Sequence, residues 1–317
     1  ALLKQILNNW LARLRGATSS TACDLLVTTS TSVLRIKKPL GTFATQAGVV
    51  HQGRGLYYGV APDPEGAIWV AARGNRVSDA ASSAEERGRL IKLSSGGVTL
   101  GPTAPQPLRD AHGLTVAHNA LWLACSYDDV IAIYSLASDS WTWWRPLPLD
   151  ADAEPDRFHF NTLFFEGGLV WVLAHRRGPS SLMAFSAAEA LIGKTTPPLE
   201  TVELGQQAHN IWRQADGELC TCSSIEGCLL GANGWRLDTG GFPRGVVQAA
   251  DGWVVGISEL KERSERDFSD ARLRFYDTHW RLTDELLLPG VGMVLDIMAI
   301  PQSLTLPVVG RQPVVVN

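Results

Sequence analysis

The sequence predicts an all-β fold: a six-bladed propeller of four-stranded antiparallel blades, closed by pairing of N- and C-terminal strands. Three observations lead there. First, a ten-residue spacing recurs, from His112 to Trp122, Asn161 to Trp171, Asn210 to Cys220 and Arg244 to Val254. Each time a polar residue opens an apolar strand, a polar turn follows, and a second apolar strand answers it, which is the signature of a β-hairpin. Second, beyond Gly16 helical periodicity gives way to short runs of Val, Leu, Ile and Trp separated by Gly, Pro, Asp and Ser. Third, four such strands fit repeatedly into under about fifty residues, the size of one propeller blade.

The strands are read in chain order. DLLVTTS and SVLRIKK (24–38) supply the second and third strands of a split blade, and FATQAGVV its outer strand. Residues 57–99 give YYGVAPD, AIWVAAR, GRLIKLS and a fourth strand near Val98. Residues 111–146 give HGLTVAH, ALWLACS, VIAIYSL and SWTWWRP, the clearest unit. Residues 159–204, 209–240 and 243–289 repeat the order, and GMVLDIMAI (292–300) returns as the inner strand of the split blade. Closing the ring this way hides edge strands that would otherwise template aggregation. The tail 301–317 leaves a seventh blade as the alternative. Neither a WD dipeptide nor a kelch double glycine is present.

Two regions stand apart. Residues 1–22 read as an amphipathic helix and connector, ahead of a single propeller domain over 23–317. Leu3, Ile6, Leu7, Trp10, Leu11 and Leu14 follow helical spacing. Three uses suit residues 1–16: packing on the domain, self-association, or contact with a membrane surface. The charged stretch 258–274 interrupts a hairpin and reads as a flap over the channel or a solvated insertion.

Composition narrows the class. The chain has 317 residues and a net charge of -4 with the signs mixed, which offers no basic patch for nucleic acid. No run approaches the ~20 apolar residues of a transmembrane span. Five cysteines, an odd number with no C-x-x-C pair, fit reduced strand thiols in a cytoplasmic protein. No phosphate loop opens a helix and no G-x-S-x-G elbow is present. The eleven tryptophans fall mostly at strand positions, where packing between blades accounts for them.

In a propeller the inner strands line a central channel, so equivalent positions form a ring. The aligned residues are Tyr58, His112, Asn161, Asn210, Arg244 and Asp296. Burying a polar group without partners costs a few kcal/mol, roughly 2–7 depending on the reference state, so six at one level need an explanation. A water-filled channel mouth is one; a functional site is the other. Turns at the same end add Arg73, His175, Arg176, Arg177, Glu226 and Glu259, and His159 and His209 flank the ring.

This set suits three chemistries. His112, His159 and His209 with Asp296 could bind a divalent metal such as zinc, iron or manganese. Asn161, Asn210, Asp296, Glu226 and Glu259 offer oxygens for calcium. Without metal, His112 or His209 would carry protons beside Tyr58, while Arg244 holds an anionic group. Asn161, Asn210, Arg73, Arg176, Glu226 and Glu259 are the expected substrate-binding residues.

In architecture the chain resembles the six-bladed propellers of the gluconolactonase and strictosidine-synthase group. The resemblance implies calcium held by Asn, Asp and Glu, to which Asn161, Asn210 and Asp296 would correspond. It departs from the lactonase pattern at Tyr58, where a glutamate would be implied, and at His112 and Arg244. The expectation is an enzyme with hydrolase, lyase or isomerase chemistry on a small polar or anionic metabolite at the channel mouth. The alternative is a non-catalytic propeller that binds a protein or glycan.

Overall fold

The computed structural model describes residues 22–39, 45–74, 83–249, 252–301 and 304–316. The expected helix over 1–16 lies outside the described residues. Six antiparallel sheets form the ring. Blade 1 takes its inner strand, Val294–Ala299, from the far end of the chain and continues through Cys23–Thr29, Ser32–Lys38 and Gln46–Gln52. Leu25 faces Ala299 and Val27 faces Ile297, which closes the circle. Blades 2 to 6 begin with the inner strands Tyr57–Pro62, Ala111–Ala117, Phe160–Glu166, Ala208–Arg213 and Phe242–Ala249. Each then runs outward through three more strands in sequence order.

The tail adds two short strands to the four-stranded plan. Gly310–Gln312 pairs with the outer strand of blade 1, and Val315–Val316 pairs with Leu282–Leu288 of blade 6. These are fifth strands on the two blades that flank the seam, and no seventh blade is formed among the described residues. The tail covers edges instead.

No single core holds the molecule. Six apolar clusters lie between neighbouring blades, one for each pair. Side chains of successive residues alternate between the two faces of a strand, and both faces here meet another blade. That is why ALWLAC (Ala120–Cys125) and the equivalent Leu169–Ala174 are almost continuously apolar. Packing only on neighbours also lets the chain exceed the size at which one core stops growing. A short helix unforeseen in the sequence, Ala187–Leu191, is capped by the Ser186 hydroxyl accepting from Glu189 N–H.

The 258–274 stretch contains a turn at Arg263–Glu265 and then enters Ala271–Asp277. Leu260 and Phe268 are exposed, but Asp267 and Ser269 are buried. The Gly292 N–H donates to the Ser269 carbonyl, so the end of the insertion is tied to the ring closure.

Candidate functional site

Six bulges build the channel. In every blade the pairing of inner and second strand slips at the same level. The slips fall between Tyr57 and Val60, Ala111 and Leu114, Phe160 and Thr162, His209 and Trp212, Pro243 and Val246, and opposite Thr28 and Thr29. A bulge bends its strand and re-aims the extra residue. Tyr58, His112, Asn161, Asn210 and Arg244 all fall within these slips, and Asp296 adjoins the sixth. Glycine follows three of them and lets the inner strands close up. A Cβ on Gly59 would lie 2.1 Å from the Leu114 nitrogen, and one on Gly113 would lie 2.5 Å from the Asn161 carbonyl oxygen. The bulges enclose a cavity of about 220 Å³ whose polar lining is His112, Thr115, Asn161, Thr162, His209, Asn210, Arg244 and Asp296. At about 30 Å³ per liquid water, it holds roughly seven waters or a metabolite of that size.

Half of this ring staples blades together. The Asn161 side-chain amide donates to the Ala208 carbonyl (2.8 Å), and Asn210 Oδ1 accepts from Gly245 N–H (2.8 Å). Asp296 accepts from Val60 N–H (3.1 Å) and Ile297 N–H (2.9 Å). Burial raises the Asp296 carboxyl to about 6, against the pull of those two amides and Arg244. Asn161 Oδ1 accepts from the Thr162 hydroxyl (2.8 Å), so all three side chains have oxygens engaged within the fold, and the calcium set implied by the lactonase resemblance does not fit them.

The other half is arranged differently. Arg244 is 6% exposed, and its guanidinium lies 4.7 Å from the centre of the Tyr58 ring. Burial lowers its pKa; Tyr58, Asp296 and Asp110 act in the opposite sense. No Asp or Glu among the described residues forms an ion pair with it. By contrast, Arg73 pairs with Glu86 and, at 2.6 Å, with Asp110. Burial pulls the Arg73 pKa down, but Asp110, Tyr58 and Glu86 outweigh it and raise the value overall.

Four histidines continue from Tyr58 as an arc of ring contacts. Centroid separations are 4.4 Å (Tyr58 to His112), 4.8 Å (His112 to His159), 4.7 Å (His159 to His175) and 5.1 Å (His175 to His209). Their hydrogen bonds set their tautomers. His112 Nδ1 meets the Asp110 carbonyl at 2.8 Å, which can only accept, so Nδ1 carries the proton. Ser224 gives its hydroxyl proton to the Pro243 carbonyl (2.7 Å) and therefore accepts from His209 Nδ1 (2.8 Å). His159 Nδ1 donates to the Asp156 carboxylate at 2.5 Å. His175 is reversed: its Nδ1 accepts from Arg177 N–H (3.0 Å), leaving the proton on Nε2. Burial pushes His112 and His209 well below the usual imidazole range, assisted by Arg244 and by neighbouring histidines. Burial, then His159 and Arg244, lower His175 to about 2.

The metal set expected from sequence is not assembled, because Asp296 is held by backbone amides and His209 adjoins His175 instead. Asp110, His112 and His159 do cluster, with one candidate ligand atom from each within 4.8 Å of the others. The nitrogens nearest Asp110 are the two Nδ1 atoms, at 3.6 and 3.9 Å, and both already donate hydrogen bonds. Asp110 itself is bound to Arg73. As arranged, the cluster does not fit a resident metal ion.

Tyr58, Arg73 and His159 are not part of the cavity lining but adjoin residues at its rim, and three further candidates lie away from it. Arg176 is exposed over the Phe158 ring, Glu226 is exposed and accepts from Ser223, and Glu259 pairs with Lys261 at 3.4 Å. The sequence places Ser224 in a turn near His209, and the structure joins the two. Sequence reasoning missed Glu86, Asp110, Ser126 and Asp156. A usable signal existed for Ser126: it closes the second strand in ACS (124–126) as Ser224 does in CSS (222–224). Ser126 Oγ lies 3.0 Å from His112 Nδ1 and donates to the Phe160 carbonyl, as Ser224 does beside His209.

No family model matches the chain, and no curated protein matches it. Solved structures do. The nidogen/laminin complex aligns with a TM-score of 0.60 at 13% identity, covering 88% of this chain and 98% of that one. A Bacteroides caccae protein of unknown function gives 0.57 at 12% identity over 89% and 100% of the two chains. The periplasmic gluconolactonase of Pseudomonas aeruginosa gives 0.55 at 15% identity over 89% and 99%. At these identities the likeness shows the shared propeller fold and nothing finer.

Proposed function

We propose that the central cavity binds a small anionic metabolite through Arg244 and acts on it by metal-free acid–base chemistry of the isomerase, lyase or hydrolase kind. The carrying observation is Arg244, a buried guanidinium with no ion-paired carboxylate among the described residues. Removing a charge from water costs several kcal/mol, on the order of 20 in the idealised limit, and an opposing charge offsets it. Arg73, in the same neighbourhood, has two carboxylates in contact; Arg244 feels Asp296 and Asp110 without a contact ion pair to either, and a ligand carboxylate or phosphate would supply one in a two-pronged bond. His112 and His209 line the same cavity as neutral imidazoles with Nε2 unprotonated, and an anion bound at Arg244 would offset the charge that lowers their proton affinity. A role in partner binding alone, to a protein or glycan, gives these fixed tautomers nothing to do.

The test is a melting experiment with malonate and with inorganic phosphate as probes. One of them raises the melting temperature of the native protein, and Arg244→Met abolishes the response. An equal rise in both proteins, or none in either, refutes the reading.

A further inference from the structure

The two imidazoles that line the cavity present lone pairs to it, not protons. His112 Nδ1 donates to the Asp110 carbonyl at 2.8 Å. His209 Nδ1 donates at 2.8 Å to Ser224, whose own proton goes to the Pro243 carbonyl. Moving either proton to Nε2 would turn the Nδ1 lone pair onto another lone pair. Neither Nε2 has a hydrogen-bond partner among the described residues, and neither is among the buried polar atoms left without one, so water-sized space reaches both. The rings are 3% and 4% exposed, and that burial, assisted by the Arg244 charge, disfavours a second proton on either.

The rest of the lining has the same polarity. Thr115 gives its hydroxyl proton to the Leu163 carbonyl (3.2 Å), and Thr162 gives its own to Asn161 Oδ1 (2.8 Å). Apart from the two asparagine amides, the polar side chains of the lining therefore offer one donor, the Arg244 guanidinium. Contacts tie both imidazoles to it. The His112 ring and the Arg244 guanidinium lie against the same Tyr58 ring, at 4.4 and 4.7 Å from its centre. His209 reaches the chain beside Arg244 through Ser224, which donates to the preceding residue, Pro243, at 2.7 Å.

We propose that the cavity selects an oxyanion carrying a hydroxyl proton of its own, a small hydroxy acid or a hydrogenphosphate, over an oxyanion that has none. This rests on Arg244 being the anion anchor. The charged oxygens take the two-pronged bond from the guanidinium, and the O–H donates to Nε2 of His112 or His209. An anion without that proton turns an oxygen lone pair toward the imidazole lone pair and leaves the acceptor unmet. A site that hydrogen-bonds a ligand hydroxyl rejects the analogue lacking it far more strongly than an apolar pocket rejects a methylene. A cavity of about 220 Å³ admits a phosphate ion or a hydroxy acid of a few carbons.

The experiment is calorimetric titration of the native protein near neutral pH with two matched pairs of small anions. One pair is inorganic phosphate and sulfate; the other is tartronate (hydroxymalonate) and malonate. Within each pair charge and size are close, and one member alone carries an O–H. Phosphate binds more tightly than sulfate, or tartronate than malonate, by about tenfold or more, the effect of leaving a buried acceptor unmet. The pair that shows the preference identifies the source as phosphoryl or hydroxy acid. Either His112→Phe or His209→Phe, whichever removes the acceptor in use, brings the ratio of the two Kd values toward one. Arg244→Met abolishes binding of both members. The comparison on native protein holds whether or not a variant folds. If anions bind through Arg244 without preference in either pair, or if both histidine variants keep the ratio, the imidazoles do not select and only the anchor stands. If no probe binds, Arg244 is not an anchor and both readings fall.

Discussion

His209 and Ser224 are joined from Nδ1 to Oγ at 2.8 Å, and the hydroxyl has already given its proton to the Pro243 carbonyl. One bond on the far side of the serine therefore decides which nitrogen of the histidine can act as a base. Ser126 stands beside His112 in the same way and donates to the Phe160 carbonyl, but there the Asp110 carbonyl already fixes the proton on Nδ1. Ser224→Ala leaves a buried imidazole N–H and a buried carbonyl unmet, which costs about 1–3 kcal/mol. The urea midpoint of the variant should fall accordingly, whereas Ser138→Ala, at an exposed turn, should leave it unchanged.

The tautomers are directly observable. Long-range proton–nitrogen NMR of the histidine rings should show His112 and His209 protonated at Nδ1 and His175 at Nε2. A uniform pattern across the arc would contradict the hydrogen-bond assignment.

Acid should destabilise the fold before its carboxylates are fully protonated. His112, His175 and His209 have folded pKa values lowered below 6.5, so the unfolded chain binds protons there that the folded chain does not. Their contribution is present above about pH 6.5 and is lost as pH falls through that value. Asp296 has the opposite sign: raised to about 6, it binds a proton in the folded state first and stabilises the fold as pH drops through that value. Three groups oppose one, so stability falls on acidification, at about 1.4 kcal/mol per pH unit for each excess proton. Urea midpoints at pH 7, 6 and 5 measure the slope, and a His112→Asn/His209→Asn double variant should flatten it.

Elemental analysis of protein purified without a metal-binding tag should find no stoichiometric zinc, iron, manganese or calcium. The ligand atoms that would hold them are engaged in protein hydrogen bonds. A one-to-one metal content would overturn the metal-free chemistry.

Gly113→Val should damage the ring more than an ordinary strand substitution. Even the first carbon of the new side chain meets the Asn161 carbonyl at 2.5 Å, so two inner strands must separate. Overpacking of this kind costs about 1–3 kcal/mol. Thermal melts compared with Gly310→Val, a strand glycine without positive φ whose Cβ would meet only Val49 side-chain carbons at 3.7 and 3.8 Å, separate the clash from loss of glycine freedom.

The blades and ring were legible in the sequence because both are written in strands. Alternation fixed which residues face a neighbouring blade, and the recurring spacing placed Asn161, Asn210 and Arg244 at one height. What escaped lies in the connections. Asp110 and Asp156 adopt left-handed backbone, at φ 50 and φ 62, and no period predicts where a side chain leaves such a turn. For the same reason Arg176, Glu226 and Glu259, grouped with the site by their position in turns, point elsewhere. The fifth strands were hidden because Gly310–Gln312 and Val315–Val316 are too short to carry a pattern.

The slipped pairing common to all six inner strands has one more consequence. A residue standing at a bulge is displaced from the regular ladder, so the ladder does not dictate its identity. A tyrosine, a histidine, two asparagines and an arginine occupy equivalent places without altering the architecture. The two asparagines are bonded to the next blade, which leaves Tyr58, His112 and Arg244 as the exchangeable sockets on a fixed frame. Exchanging occupants at those three places offers a route to new ligand preferences that keeps the staples between blades.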